Sequence, residues 1–294
     1  MSADISPLLV RTPAAARPLW LRLRRSSPFT LTVLMCCLAL LWVSPFIWML
    51  ATSFSATTFG DDMASLLPRL PLTLDNFRDA WQSADWLSLY TNTLIFTFGT
   101  FFVQLLTIPT AGYVFACHEF RGKQTLFLLF LVQLMIMPVV MMVPNMLTLK
   151  TFGLLNTLTG VMMPYFTSAF GVFLMRQAFL AIPKELEEAA HIDGCSRGKA
   201  FFKIILPLSY PIILSVSLIM FLNTWSQFQI PLILASSMDT KPMAIVVSEF
   251  VTKDSVEYGL IATAGIVSLI PPAVTAIIFR KYLISGMVGG SVKG

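Results

Sequence analysis

Residues 183–207 read PKELEEAAHIDGCSRGKAFFKIILP. The segment is hydrophilic and lies between two strongly apolar regions. Its chemistry predicts a short helix, a glycine break, a second helix and then entry into a bilayer. Pro183 suits the first helical position, where its missing N–H is not needed. Glu185, Glu187 and Glu188 set negative charge at the positive end of the helix dipole. Leu186, Ala189, Ala190 and Asp193 follow i, i+3, i+4, i+7 spacing and so share one face. That face is mostly small, which lets another protein's backbone approach closely. Gly194 can take the left-handed conformation that ends a helix, and Ser196 can cap the next one. Arg197, Lys199 and Lys203 then mark the cytoplasmic boundary of a membrane helix. Helix chemistry alone fits a solvated helical loop equally well and does not say what docks here.

Outward from this stretch the chain is apolar. Of 294 residues, 56% are hydrophobic and 12% charged, and the mean hydropathy is +0.77. A soluble domain carries about twice that charge. Charges are absent from six runs, 26–60, 86–117, 124–149, 151–175, 204–238 and 258–279, the shortest of 22 residues. A bilayer-spanning helix needs about 20. We therefore expect an all-α, polytopic membrane protein with six helices near 29–52, 90–115, 125–147, 155–175, 207–230 and 259–280. Segment 1–28 is a basic cytoplasmic arm, 29–281 the membrane domain, and 282–294 a cytoplasmic tail.

The net charge of +5 follows topology rather than a nucleic-acid partner. With both termini cytoplasmic, 15 Lys and Arg fall inside and 5 outside, as the positive-inside rule requires. This puts 176–203 on the same side as ATP. The four cysteines form no disulfide framework, and with His118 and His191 as the only histidines they lack metal-ligand spacing. The apolar run after Arg22, Arg24 and Arg25 is too long for a signal peptide's core and reads as an uncleaved anchor, with Pro45 placed to kink it.

The first external loop, 53–89, carries Asp61, Asp62, Asp75, Asp79 and Asp85 against Arg69 and Arg78. Trp81 and Trp86 suit an amphipathic segment resting at the outer interface. In the third predicted helix, Pro138 and Pro144 rule out a straight rod, and the methionines around Ile136 are read as adaptable packing. Apart from Arg280 at the very end of the sixth, none of the predicted helices holds Asp, Glu, Lys, Arg or His, which a proton- or ion-coupled transporter often carries. No Walker A sequence is present, so ATP hydrolysis is not expected of this chain. Gln104, Gln133, Tyr165, Asn223, Trp225 and Gln227 are polar or aromatic groups inside apolar helices. Interhelical hydrogen bonding and transient contact with a translocated solute are the two roles open to them.

Glu188-Ala189-Ala190, three residues, Gly194, nine residues, Ile204, one residue and Leu206-Pro207 resembles the EAA loop of binding-protein-dependent ABC importer permeases. Further pieces resemble the carbohydrate branch of that family. They are Asn92-Thr93, the run 111–116 with Phe120-Arg121-Gly122-Lys123, Met137-Pro138, the run 153–157, Pro164-Tyr165, Trp225 with Pro231-Leu232, and the tail 281–294, which looks like that of the maltose-type second permease. Gly112 stands where that family tends to carry alanine, Cys117 where arginine is usual, and Ser226 where asparagine is expected.

The resemblance implies a type I ABC importer permease fold in a bacterial inner membrane. It implies that Glu188, Ala189, Ala190, Asp193, Gly194, Ile204, Leu206 and Pro207 couple to the ATPase. It implies a second permease, two ATP-binding subunits that use ATP and Mg, and an extracytoplasmic binding protein, with no cofactor on this chain. The implied cargo is a carbohydrate, and a polyol or glycerol phosphate is the alternative within the family. An ATP-independent secondary transporter or a membrane-embedded enzyme are the rival classes. By analogy, the loops 53–89 and 231–258 face the binding protein.

Overall fold

The structure is a computed structural model that describes residues 28–56, 72–250 and 258–281. The basic arm with Arg22, Arg24 and Arg25, the stretch holding Asp61, Asp62 and Arg69, and the tail 282–294 lie outside the described residues. The chain divides into two compact units, Met1–Trp48 and Met49–Gly294.

Helix α1, Pro28–Ser53, runs through Pro45 without a break and is apolar all round. The first unit is described only as this helix as far as Trp48, and the helix's last residues belong to the second unit.

The second unit is built on one long rod. Helix α2, Asp75–Ser83, is short and amphipathic. Helix α3, Trp86–Cys117, has 32 residues, so it is about 48 Å long. A bilayer core is about 30 Å thick, and α3 therefore projects beyond it. Its start lies four residues before the sequence-based expectation. Asp85 is the reason: its side chain accepts from the Ser88 N–H and hydroxyl, at 3.3 and 2.6 Å, and caps the helix. Those two bonds hold the Asp85 carboxyl below the usual carboxylate range. Trp86, expected at the outer interface, is buried, and its indole N–H donates to Ala80 O at 2.7 Å. Trp81 does lie exposed on α2.

Three of the expected spans are broken, each for a local reason. The third comprises α4, Lys123–Val132, two 3₁₀ turns, Gln133–Met135 and Pro138–Met141, and α5, Met142–Thr151; its halves meet at 101°. Met137 precedes proline and takes an extended conformation, φ −64° and ψ 135°, because the proline ring disfavours the helical one. The fourth comprises α6, Leu158–Met162, a 3₁₀ turn, Met163–Tyr165, and α7, Ala169–Leu180, bent by 44°. Ser168 is extended and caps α7 by accepting from Gly171 N.

Helix α7 runs five residues past the expected end and takes Arg176 into the helix. There the guanidinium sits 4.4 Å over the Phe127 ring and its Nε donates to Phe115 O at 3.1 Å. The fifth span bends by 79° between Arg197–Leu208 and α10, Tyr210–Trp225. Pro211 lacks the N–H that would have bonded the Pro207 carbonyl. It ends at Trp225, not 230, and α11, Gln229–Leu234, is a separate turn and a half. Helices α12, Met243–Glu249, and α13, Tyr258–Ile278, complete the described chain.

Among the described residues, three helices are long and apolar enough to cross a membrane, and three bent pairs pass the same test. Counting each pair as one span gives six in an all-α chain.

Packing places α3 at the centre, with α7 and α10 as its most extensive neighbours. One buried cluster joins Ile108, Tyr113, Val172, Met175, Phe179, Phe201 and Ile205. A second joins Ala80, Trp86, Leu89, Met243, Val246 and Leu260, and a third joins Phe96, Leu149, Val161, Ile230 and Leu234. Phe96 and Phe179 are each under 2% exposed, and burying such a ring contributes about 1.5–3 kcal/mol. Asn76, fully buried on α2, closes the end of α1 by donating to Ser53 O and Ser55 O at 3.1 and 2.8 Å.

Candidate functional site

Two sites lie along α3. The first is the segment 183–207. Helix α8, Lys184–Ile192, forms as the sequence predicts, although Pro183 occupies the N-cap and not the first helical position. Its end is a Schellman motif: Cys195 N–H donates to Ala190 O at 2.9 Å and Gly194 N–H to His191 O at 3.0 Å. Gly194 has φ +78°, the left-handed region that glycine enters without strain. Ser196 accepts from Lys199 N at 3.4 Å and opens α9, Arg197–Ala200. A π-helical turn, Phe201–Ile205, and one turn, Leu206–Leu208, lead into the bundle.

The eight residues assigned to coupling divide by position. Glu188, Ala189, Asp193 and Gly194 are exposed, and so is Pro207 farther along. Ala190 is turned inward, 5% exposed, so the four-residue face expected from spacing is split. Ile204 and Leu206 are half-buried in the return to the bundle. Sequence reasoning missed Glu187. Its carboxylate accepts a 2.6 Å hydrogen bond from the Tyr113 hydroxyl. The signal was available as Glu187–Ala190 spacing, i and i+3, which marks the inward face. Nearby, Lys123 bonds Glu119 at 2.9 Å and lowers the pKa of that carboxyl.

The second site is a cavity of about 590 Å³ lined by α3, the broken third and fourth spans, and α10. Gln104, Gln133, Tyr165, Asn223 and Gln227, five of the six polar candidates, line it. Several are bonded in sequence around the wall. Gln104 Nε2 donates to Tyr165 O at 2.7 Å, Tyr165 OH to Gln227 Oε1 at 3.2 Å, and Gln227 Nε2 to Asn223 Oδ1 at 2.6 Å. Interhelical bonding and cavity lining thus coexist in the same side chains.

Trp225 does not line this cavity. Its indole N–H donates to Ser268 O at 3.2 Å and ties α10 to α13. Asn145, Ser168 and Thr224 also line the cavity; Asn145 was visible as a second polar residue in the apolar run of Gln133. None of the described lining residues is charged. Met135 and Met137, read as adaptable packing, are 84% and 67% exposed in the chain by itself.

A third cluster explains residues that carried resemblance but no role. Asn156, at φ +57°, accepts through Oδ1 from Ser236 N, Ser237 N and Thr240 Oγ1 at 2.9, 3.0 and 2.8 Å. Asn92 Nδ2 donates to Met238 O and Lys241 O at 2.9 and 3.1 Å, and Thr93 Oγ1 accepts from Met243 N at 2.8 Å. Together they fasten the connection 235–242 to α3 and to the turn before α6. Asn156→Gly keeps the backbone conformation and removes the acceptor. It should speed amide exchange at Ser236 and Ser237 about ten-fold, the loss of roughly 1–1.5 kcal/mol; exchange monitored by mass spectrometry reads this directly.

Residues 108–289 match the model of the family described as "Binding-protein-dependent transport system inner membrane component". That is more than half of the chain. The chain belongs to this family of membrane transport components. This permease is similar to the arabinooligosaccharides transport system permease protein AraQ of Halalkalibacterium halodurans, at 31% identity over 92% of this chain and 99% of that one. It is also similar to the lactose transport system permease protein LacG of Rhizobium radiobacter, at 29% identity over 87% and 92%. In fold, the permease resembles a chain of a bacterial ABC transporter involved in the import of the acidic polysaccharide alginate. The TM-score is 0.74 at 20% identity, covering 92% of the permease and 99% of that chain. Both the segment 183–207 and all cavity-lining residues except Gln104 fall within the matched family region.

Proposed function

We propose that this permease is one of two membrane subunits of an ATP-binding-cassette importer for an uncharged saccharide. An extracytoplasmic binding protein delivers the saccharide, and two ATPase subunits drive the cycle. The observation that carries the reading is the outer surface of α8. Ile192 there is 86% exposed and Leu186 42%, beside Glu188 and Ala189. Covering one such aliphatic side chain contributes about 1.5–3 kcal/mol, and a short exposed helix with apolar groups suits a cleft in an ATPase subunit. The 15 to 5 division of basic residues supports placing α8 and both termini in the cytoplasm.

ATP-driven closure of the ATPase pair moves α8 and rocks the spans around the cavity, a rigid-body transition. In the cavity, amides and the Tyr165 hydroxyl offer donors and acceptors to sugar hydroxyls. The uncharged lining supports a neutral solute over glycerol phosphate, whose charge would be left unpaired there. The neutral saccharides in the names of the curated relatives AraQ and LacG agree with this. A second permease is supported by the exposed apolar rim of the broken third span, where Met135, Met137, Val140 and Val143 are 84%, 67%, 61% and 56% exposed.

The test is purification from native membranes in mild detergent, followed by uptake in liposomes. A second permease and an ATPase should accompany this chain. Uptake should be ATP-dependent, inhibited by neutral oligosaccharides and indifferent to glycerol phosphate. Isolation of the chain alone with ATP-independent transport would overturn the reading.

A further inference from the structure

Helix α8 is tied to α3 through one side chain, Glu187. Glu185 and Glu188 are exposed, whereas Glu187 is half-buried and faces α3. The Tyr113 hydroxyl donates to Glu187 Oε1 at 2.6 Å. Tyr113 is 5% exposed, and its ring is fenced by three others. Phe201 lies 4.7 Å away, His118 5.1 Å and Phe179 6.1 Å, the last two edge-on. The ring cannot swing to follow its partner, so the hydroxyl is a fixed point on α3. Nine residues back along the same helix, about 14 Å, Gln104 holds the Tyr165 carbonyl in the cavity wall. Pro109, the one proline in α3, does not interrupt the helix between these points.

We propose that the Tyr113–Glu187 hydrogen bond is the joint through which α8 drives α3, so that both are positioning residues for transport. The inference rests on the importer reading and deepens it. A pull on α8 reaches Glu187 within one turn of Glu188 and Ala189. It then passes through a short, directional bond into α3, where the surrounding contacts of the Tyr113 ring are packed rings. Packing resists compression but gives under tension; a hydrogen bond to a carboxylate carries both. Without the hydroxyl, α8 moves with the ATPase subunits while α3 lags. ATP is then spent without reshaping the cavity.

The test uses the complete complex, with Cys117, which lies beside Glu187, replaced by alanine, the other three native cysteines replaced by serine, and Val132→Cys as a reporter in the cavity lining. The probe is a membrane-impermeant maleimide, its labelling rate compared with and without ATP, alongside ATP hydrolysis and recovery of the assembled complex. The parent should hydrolyse ATP and change its labelling rate with ATP. Tyr113→Phe keeps the ring and should assemble and hydrolyse ATP, while its ATP-dependent change in labelling falls about ten-fold. Glu187→Ala should reproduce the loss, and Glu187→Gln, which keeps an acceptor oxygen, should restore most of the response. A structural defect would lower assembly, hydrolysis and labelling together. If the parent itself shows no ATP-dependent labelling, the importer reading fails. If the parent responds and Tyr113→Phe and Glu187→Ala respond equally, the joint is overturned. Should Tyr113→Phe fail to assemble, Glu187→Ala decides alone, because it leaves the ring packing untouched.

Discussion

Gly194→Asp should leave the permease in the membrane at its normal level and reduce uptake at least about ten-fold. The two halves of that expectation have separate causes. A Cβ at Gly194 meets nothing within 4 Å, so no core packing is lost. The remaining cost is the left-handed backbone at φ +78°, roughly 1–2 kcal/mol for an L-residue. That is a small part of a stability of about 5–15 kcal/mol, but it falls on one turn. It is relieved by opening the Schellman motif that sets the angle between α8 and α9. A misdirected α8, carrying a new carboxylate beside Asp193, meets the ATPase badly, and every 1.4 kcal/mol of docking is ten-fold. Gly194→Asn enters the left-handed region readily and adds no charge, so it should retain more uptake than the aspartate. Membrane abundance by immunoblot and solute uptake are the two measurements. Normal uptake by Gly194→Asp would show that the turn has no part in coupling.

Gly112→Ala should act in the opposite way, through stability. A Cβ here would lie 2.7 Å from Met175 Cβ and 3.2 Å from the Arg176 backbone nitrogen. Neither is the movable end of a side chain, so α3 and α7 must part. Overpacking of this kind costs about 1–3 kcal/mol. The thermal midpoint in detergent should fall by several degrees, at roughly 2–4 °C per kcal/mol. Because the clash is with Met175 Cβ itself, Met175→Ala cannot relieve it. Met175→Gly should recover part of the loss, so the pair is non-additive. An unchanged midpoint for Gly112→Ala would mean that the two helices are not held this closely. The alanine common at this position in the resembled family thus has no room here, and the crossing of α3 and α7 is correspondingly tight.

Segments whose physics is local were the most readable. Charge-free runs located the spans, and the Gly194 turn and the Ser196 cap followed from single residues. Proline spacing announced that the third span is bent, though not by 101°. What the sequence could not supply was orientation within each helix. Spacing put Ala189 and Ala190 on one face, but a nine-residue helix rotates as a body, and tertiary packing turned Ala190 inward and brought Glu187 to Tyr113. Trp225 and Gln227 looked equivalent as polar groups in an apolar run. The end of α10 at Trp225 sends one to α13 and the other to the cavity. Asn92, Thr93 and Asn156 were visible as a pattern, but their partners lie 80 to 150 residues away, beyond any local rule.

The break at Met137 has a consequence for the life of the chain in the cell. Lipid offers no hydrogen bonds to backbone that has left its helix. Such a segment persists only against protein or beside water. Without a covering neighbour, this kinked, methionine-rich stretch, with Met135 and Met137 84% and 67% exposed, would lie against acyl chains. In the proposed importer, the bend beside the cavity should therefore also distinguish assembled copies from orphans: made without its partner subunits, the chain should be degraded faster, which pulse-chase labelling reads.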